Sequence, residues 1–250
     1  LGHRVIGLER QKLEKKWIVE VLAPGGAALK FNSLDVVCTL PPQCLANLIV
    51  KRELNYGSYF KFLEQLPQPT GALVFYGAID RNNLPANSPC HLQIKIEESS
   101  SLFISISCDG DGRAPLGKAT LIASVFTPVS DWCSLSEIAY KTRKQQALKT
   151  FLSNLETFLG IPSRHWEHQE LATPRSFDKW TGRPNGIVGG LGQHPSRFGP
   201  FGLASRTPIK GLWLCGDSLY PGEGTAGVSL SAFIACRQLM AERGLSLQLD

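Results

Sequence analysis

Apolar and polar positions sort the chain into three stretches of different character. Near the start, Trp17 to Val21 reads as a strand. Pro24-Gly25-Gly26 makes a turn. Leu34 to Leu40 is a nearly continuous apolar run, the pattern of a strand buried on both faces of a parallel sheet. Pro41-Pro42 ends it, and a short amphipathic helix is predicted from Gln43 to about Val50.

From Gly71 to Phe126 the chain changes character. Ala72–Ile79, His91–Ile96, Leu102–Cys108 and Ala119–Val125 are four predicted strands. Turn-rich segments separate them: 81–85, Glu97 to Ser101, and Asp109-Gly110-Asp111-Gly112. No helical pattern lies between them, so antiparallel or mixed pairing follows. The pattern then changes to a helical period from about Leu135 to Leu159. Ser134 and Glu137 have the spacing of a capping box. Leu148, Phe151, Leu152, Leu155, Phe158 and Leu159 fall on one face, and Gly160 and Pro162 stop the helix.

The last stretch opens with a loop-rich segment, residues 181–208, which carries seven glycines. A loop of that length in a compact domain is functional or disordered. Gly211 to Gly216 predicts a short buried strand, and Thr225 to Arg243 a closing helix that Gly244 stops. The fold class is α/β, with α+β character in the middle.

Composition narrows the function classes. The formal net charge is +5, and basic clusters lie at Arg10, Lys12, Lys15, Lys16 and at Lys141, Arg143, Lys144. They read as solvated faces, with a membrane surface as the other partner such clusters attract. No recognition-helix, zinc-finger or RNP-like pattern points to nucleic acid. The seven cysteines include no C-x-x-C pair and sit mostly in apolar runs, so they read as buried small hydrophobes in a reducing compartment. No signal peptide is read. No apolar run reaches the roughly 18–20 residues of a membrane span, so contact with a membrane would be peripheral. The chain opens on Leu1, not Met, and reads as the middle of something longer.

The chemistry concentrates in Leu212-Trp-Leu-Cys-Gly216-Asp217-Ser218 and Pro221-Gly222-Glu223-Gly224-Thr225-Ala226-Gly227-Val228-Ser229. An apolar strand ends in Gly-Asp, a glycine-rich turn follows, and a helix begins with small residues. In open α/β sheets ligands bind beyond the carboxyl ends of strands. Glycines admit close backbone approach, and a helix N-terminus offers N–H groups and partial positive charge. Such a junction suits an electron-rich group. Asp217 would repel a phosphate, so a hydroxyl donor or a bound water suits it better. On spacing alone, glycines that serve only the geometry of a tight junction remain an equal alternative.

These residues resemble the C-terminal flavin motif of phytoene desaturases and carotene isomerases, nearest to the plant and cyanobacterial isomerase branch and to cyanobacterial carotenoid desaturases. Upstream runs agree in order: Glu170-Leu-Ala-Thr-Pro174, Trp180-Thr-Gly-Arg183, Gly186-Ile-Val-Gly-Gly190 and Thr207-Pro-Ile-Lys-Gly-Leu-Trp213. Asp35-Val-Val-Cys-Thr-Leu-Pro-Pro42 is similar to the family's strand that returns to the flavin domain. The resemblance implies FAD as cofactor. It places Gly216 and Asp217 at the ribityl and pyrophosphate region, with the aspartate on a ribityl hydroxyl. It places Gly224, Thr225, Ala226 and Gly227 near the flavin pyrimidine ring, and Val5 at the strand whose backbone meets the adenine.

The family's N-terminal strand–Gly-x-Gly-x-x-Gly–helix unit is not in this sequence, so the resemblance implies the C-terminal portion of a split FAD-binding, Rossmann-like domain. Residues 1–50 and 200–250 would belong to that domain and residues 51–199 to a substrate domain with a mixed or antiparallel sheet. The implied substrate is a carotenoid or related polyene, desaturated or isomerised, with a quinone or oxygen as electron acceptor. The implied location is the cytoplasmic side of a thylakoid or plasma membrane, or a plastid, as a peripheral protein. An amine-oxidase-like flavoenzyme and a non-catalytic carotenoid-binding or assembly domain are the alternatives.

Other constellations carry less. His165 and His168 would share one face of a helix, but a zinc site needs three or four ligands. Asp109 to Arg113 lacks the later ligands of a calcium loop and reads as a hairpin turn. Tyr56, Tyr59, Phe60, Phe62, Phe75 and Tyr76 are core or tunnel aromatics. No general acid or base stands out.

Overall fold

A computed structural model describes residues 2–11, 13–50, 56–67, 70–97, 100–192, 194–197 and 199–246. Leu1, Lys12 and residues 98–99 of the turn expected at Glu97–Ser101 lie outside the described residues. The chain divides into two compact units, Leu1–Pro69 with Gly189–Asp250, and Thr70–Val188. The divisions expected near residues 50 and 199 both fall inside the first unit.

The first unit opens with a three-stranded antiparallel sheet, β1 (Arg4–Gln11), β2 (Lys16–Leu22) and β3 (Ala28–Ser33), in that order. Only β2 has a clear apolar signature. It buries Trp17 and Val21, while β3 is exposed along almost its whole length and so carries no core pattern. Next, β4 spans only Val36–Cys38. The expected buried strand from Leu34 to Leu40 is therefore corrected: Leu34, Val37 and Leu40 are 53%, 40% and 45% exposed. Helix α1 (Pro42–Leu48) starts on a proline, which suits a first helical position because the missing N–H has no partner there anyway. Helix α2 (Gly57–Glu64) buries Phe60 and Leu63.

The second unit is a five-stranded antiparallel sheet under one long helix. Its strands are β5 (Gly71–Asp80), β6 (His91–Glu97), β7 (Ser100–Ile106), β8 (Lys118–Thr127) and β9 (Trp166–Ala172), in the order β6-β7-β8-β5-β9. The four predicted strands are present and pair antiparallel. Alternate residues face one core: Leu73, Phe75 and Ile79 from β5, Leu102, Ile104 and Ile106 from β7, Leu121 from β8. After the short helix α3 (Ser130–Cys133), α4 runs Glu137–Leu159 and lays Phe151 and Leu155 on that core. Phe158, assigned to the same face, is 44% exposed. The capping box expected at Ser134 and Glu137 does not form. Ser136 is the N-cap, with its hydroxyl accepting from the Ala139 N–H at 3.3 Å. Glu137 pairs instead with Arg175 at 2.6 Å. Gly160 ends α4 in the left-handed region, φ 64°. Helix α5 (Pro174–Thr181) closes the unit with the Thr173–Ser176 capping box.

The chain then returns to the first unit. Strand β10 (Leu212–Leu214), fully buried, pairs parallel with β4 in the register Leu212↔Val36, Trp213↔Val37 and Leu214↔Cys38. Helix α6 (Gly224–Glu242) follows. Asp35 fastens this junction: its carboxylate accepts from the Trp213 indole at 3.1 Å and from the Arg243 guanidinium at 2.9 Å.

The cysteines are not all the buried, reduced thiols expected of them. Cys90 and Cys108 form a disulfide, and Cys236 is exposed. Cys38 and Cys215 are buried, and burial pushes both thiols above their ordinary value.

Phe75 is the centre of the second core. It is fully buried, edge-on to Trp166 at 5.1 Å and stacked with Phe151 at 6.3 Å. Phe75→Ala is expected to cost roughly 3–5 kcal/mol, through lost transfer energy plus the cavity left behind. Urea unfolding of the variant checks this, and a loss below about 1 kcal/mol would contradict the packing described.

Candidate functional site

The carboxyl end of β10 leads into a crowded backbone junction. The Gly216 N–H donates to the hydroxyl of Ser231, which is fully buried two turns into α6, at 3.1 Å. That bond draws the strand end against the closing helix. Asp217 and Ser218 follow, with the Ser218 hydroxyl 3.4 Å from a carboxylate oxygen of Asp217. The Tyr220–Pro221 peptide is cis, and Gly222 is buried. Glu223 is the N-cap of α6, with extended dihedrals of φ −78° and ψ 173°, and its own side chain does not cap the helix. Gly224, Thr225 and Ala226 are exposed in its first turn, with open space where a Gly224 side chain would point.

A second segment closes onto this turn. A Cβ on Gly190 would lie 2.0 Å from the carbonyl oxygen of Asp217, so the two backbones touch where no side chain fits. The Gly190 N–H donates to Oε1 of Glu223 at 3.1 Å. A Cβ on Gly189 would meet both carboxylate oxygens of Glu223 within 2.7 Å. The glycine pair is thus packed between the Asp217 backbone and the Glu223 carboxylate.

Six residues expected at a cofactor site, Gly216, Asp217, Gly224, Thr225, Ala226 and Gly227, sit along this one strand–turn–helix junction. Val5 belongs to another element, β1, opposite Val21, and is 40% exposed. Sequence reasoning missed the parts played by Glu223, Gly189, Gly190 and Ser231. The glycine pair was visible as a motif, but nothing in its spacing shows a carboxylate 33 residues later as its partner.

The junction has a defined chemical character. Backbone donors at the start of α6 and its partial positive charge favour an electron-rich group. The carboxylates of Asp217 and Glu223 disfavour a phosphate beside them and favour hydroxyl donors.

The other candidates resolve differently. Trp166–Ala172 is a strand and His165 ends a short 3-10 turn, so the two histidines do not share a helix face. No group of three or more metal-ligating side chains occurs among the described residues. Asp111 accepts from the Cys108 and Arg113 N–H groups at 2.6 and 2.9 Å and closes a turn, and the Arg113 guanidinium holds its carboxyl below the usual range. The aromatics divide between the units. Tyr59 and Phe62 border a cavity of about 240 Å3 in the first, with Leu66, Phe201 and Leu203. Phe75 is core in the second, where a separate cleft of about 380 Å3 lies between the sheet and α4, floored by Leu73, Ile96, Leu102, Val125 and Trp132. No helix among the described residues is long and apolar enough to cross a membrane.

No family model matches the chain. Among solved structures, it resembles an oxidoreductase from Methanosarcina mazei with a TM-score of 0.57 and 16% identity, over 93% of this chain and 48% of that one. It resembles cyclohexylamine oxidase from Brevibacterium oxydans with a TM-score of 0.60 and 14% identity, over 94% and 48%. At these identities the likeness is one of fold: a mixed α/β chain with an antiparallel sheet, matching about half of each oxidoreductase. The sequence is 28% identical over 173 residues to prolycopene isomerase, chloroplastic, of Daucus carota, covering 65% of this chain and 28% of that protein. The protein of the same name from Arabidopsis thaliana is 29% identical over 176 residues, covering 65% and 29%. The chain is therefore distantly homologous to prolycopene isomerases over part of its length, and the matched stretch spans under a third of those relatives.

Gly190→Ala drives a methyl group into the Asp217 carbonyl and is expected to destabilise the first unit by about 1–3 kcal/mol, as overpacking does. An unchanged melting curve would show that the two backbones do not touch. Burial, with a smaller contribution from Cys38, pushes the Tyr59 phenol from 10.0 up to about 12. The folded state therefore holds that proton more tightly. This contribution to stability is complete below pH 10 and lost as pH rises towards about 12. Stability should fall more steeply across that window in the parent than in Tyr59→Phe, and equal slopes would refute the burial of the phenol.

Proposed function

We propose that this chain is part of an FAD-dependent oxidoreductase that acts on a carotenoid or related polyene, by desaturation or cis–trans isomerisation. The observation that carries the reading is the junction of β10 with α6. It combines an aspartate suited to a hydroxyl partner with an uncapped helix end suited to an electron-rich ring edge. Those are the two chemistries FAD brings, through its ribityl hydroxyls and its pyrimidine ring. Distant homology to prolycopene isomerases supports the polyene as substrate.

In this reading Gly216 and Asp217 hold the ribityl chain, and Gly224 to Gly227 face the pyrimidine edge with backbone donors. Bound flavin supplies the hydride- or electron-accepting ring, and the protein supplies orientation and dry surroundings. Val5 is assigned to the adenine side. The first unit is the returning part of the flavin domain and the second the substrate domain. The parallel pair β4–β10 fits a larger sheet, since parallel strands occur in sheets covered on both faces. Among the described residues β4 ladders only with β10. The family's N-terminal strand–glycine-loop–helix unit would extend that sheet. The cleft of the second unit has an apolar floor that suits a polyene, with Arg143, Gln146, Thr150 and Asn154 along its α4 side. If the reaction is desaturation, a quinone or oxygen would take the two electrons removed, at a membrane surface; isomerisation would need no net acceptor.

The test is titration of FAD into this chain and into a version extended upstream along its reading frame, followed by flavin fluorescence and absorbance. The extended chain is expected to bind, and Asp217→Ala to weaken binding on the order of 10-fold or more, as loss of a hydrogen bond to a charged group does. If neither chain binds flavin, a non-catalytic carotenoid-binding or assembly role replaces this reading.

A further inference from the structure

Glu223 stands at a position that rewards a short capping side chain. Ser, Thr, Asp or Asn at an N-cap accepts a hydrogen bond from the first turn of its own helix. Glu223 does not do this. Its carboxylate turns back across the sequence to the N–H of Gly190 at 3.1 Å and lies over Gly189, where even a methyl group would not fit. Gly190 also packs against the Asp217 carbonyl. The carboxylate and the close approach therefore hold the 189–190 segment against residues 217–218.

We infer that Glu223 is a positioning residue for the cofactor site. It clamps the Gly189-Gly190 segment over Asp217. Its carboxylate is thereby committed to Gly190 and does not cap the first turn of α6. The clamp stands on the geometry of this chain, and its consequence for flavin rests on the function proposed above. Two features of the sequence gain a purpose from it: the glycine pair, which no side chain could replace, and a glutamate between two glycines at a helix start.

Two variants separate the clamp from simple damage to the fold. Glu223→Ala removes the acceptor. Glu223→Gln keeps an oxygen in the same place without the charge. In hydrogen exchange on this chain, Glu223→Ala is expected to speed exchange of the Gly190 amide on the order of 10-fold, and Glu223→Gln to restore most of the protection. In the upstream-extended chain, FAD should bind Glu223→Ala about 10-fold more weakly and Glu223→Gln nearly as tightly as the parent. Unchanged exchange at Gly190 in Glu223→Ala would overturn the clamp whatever happens to flavin. Faster exchange with unaltered FAD affinity would overturn the positioning role. Faster exchange in a protein that binds no FAD in any form would leave the clamp standing and defeat the flavin reading instead.

Discussion

The first unit depends on one pairing, the parallel ladder of β4 with β10. Those strands contribute three residues each, and the partners that lock them, Asp35 and Trp213, lie 178 residues apart in sequence. Everything between must leave and return. A parallel pair cannot be closed by a tight turn, so the intervening chain has to form structure of its own. Here it forms a separate unit with an independent core. The carboxylate of Asp35 is the fastening, since it receives both the indole N–H from β10 and the guanidinium at the end of α6. Three short strand residues would hold weakly without it. With it, the strand end, the turn and the closing helix share one frame, and the Gly216–Ser231 bond fixes where α6 begins to approach that turn.

That frame decides what the junction can do. A buried strand delivers its last residues without freedom to wander. Gly216 and Asp217 are therefore presented at a fixed place, and the α6 N-terminus is presented beside the same turn. No acid–base pair stands out in this region, and the proposed chemistry does not call for one. Where a bound cofactor supplies the reactive ring, the protein's part is placement, electrostatics and exclusion of water. The junction offers placement through rigid backbone and electrostatics through an open helix end.

Much of this was legible in the sequence, for physical reasons that differ between elements. The strands β5, β6, β7 and β8 announce themselves as apolar or β-branched runs bounded by turn residues; burial alternates along β7 and β8, while the first half of β5 is buried on both faces. β3 and β9 do not. β3 is exposed along all but its last residue, and β9 buries only Trp166 and Leu171 while His and Glu side chains occupy its middle. The helix start shifted from Ser134 to Ser136 because two serines competed for one role, and Arg175 had already claimed Glu137. The Cys90–Cys108 bridge was illegible because spacing alone does not reveal which turn brings two thiols together. In the site, the residues whose type betrays their task, Gly216, Asp217 and the small residues entering α6, were visible. The clamp was not, because its partners become neighbours only when the 189–190 segment folds onto the turn.

The clamp also bears on why this helix start looks poorly designed in isolation. A serine or aspartate in place of Glu223 would cap α6 and add about 1 kcal/mol to its stability. The chain has a glutamate there, flanked by glycines that weaken the helix end further. Local rules are broken in folded proteins mainly where function demands it. Here the departure has a visible return: the carboxylate organises a neighbouring loop instead of capping its own helix. A junction built only for tight geometry would need the glycine at 190, for its close approach to Asp217, and the one at 222, for its φ of 118°. It would have no use for an uncapped helix end held open by a side chain committed elsewhere. That asymmetry favours a ligand site over a purely architectural turn, and it does so from this chain's own contacts rather than from its resemblance to any relative.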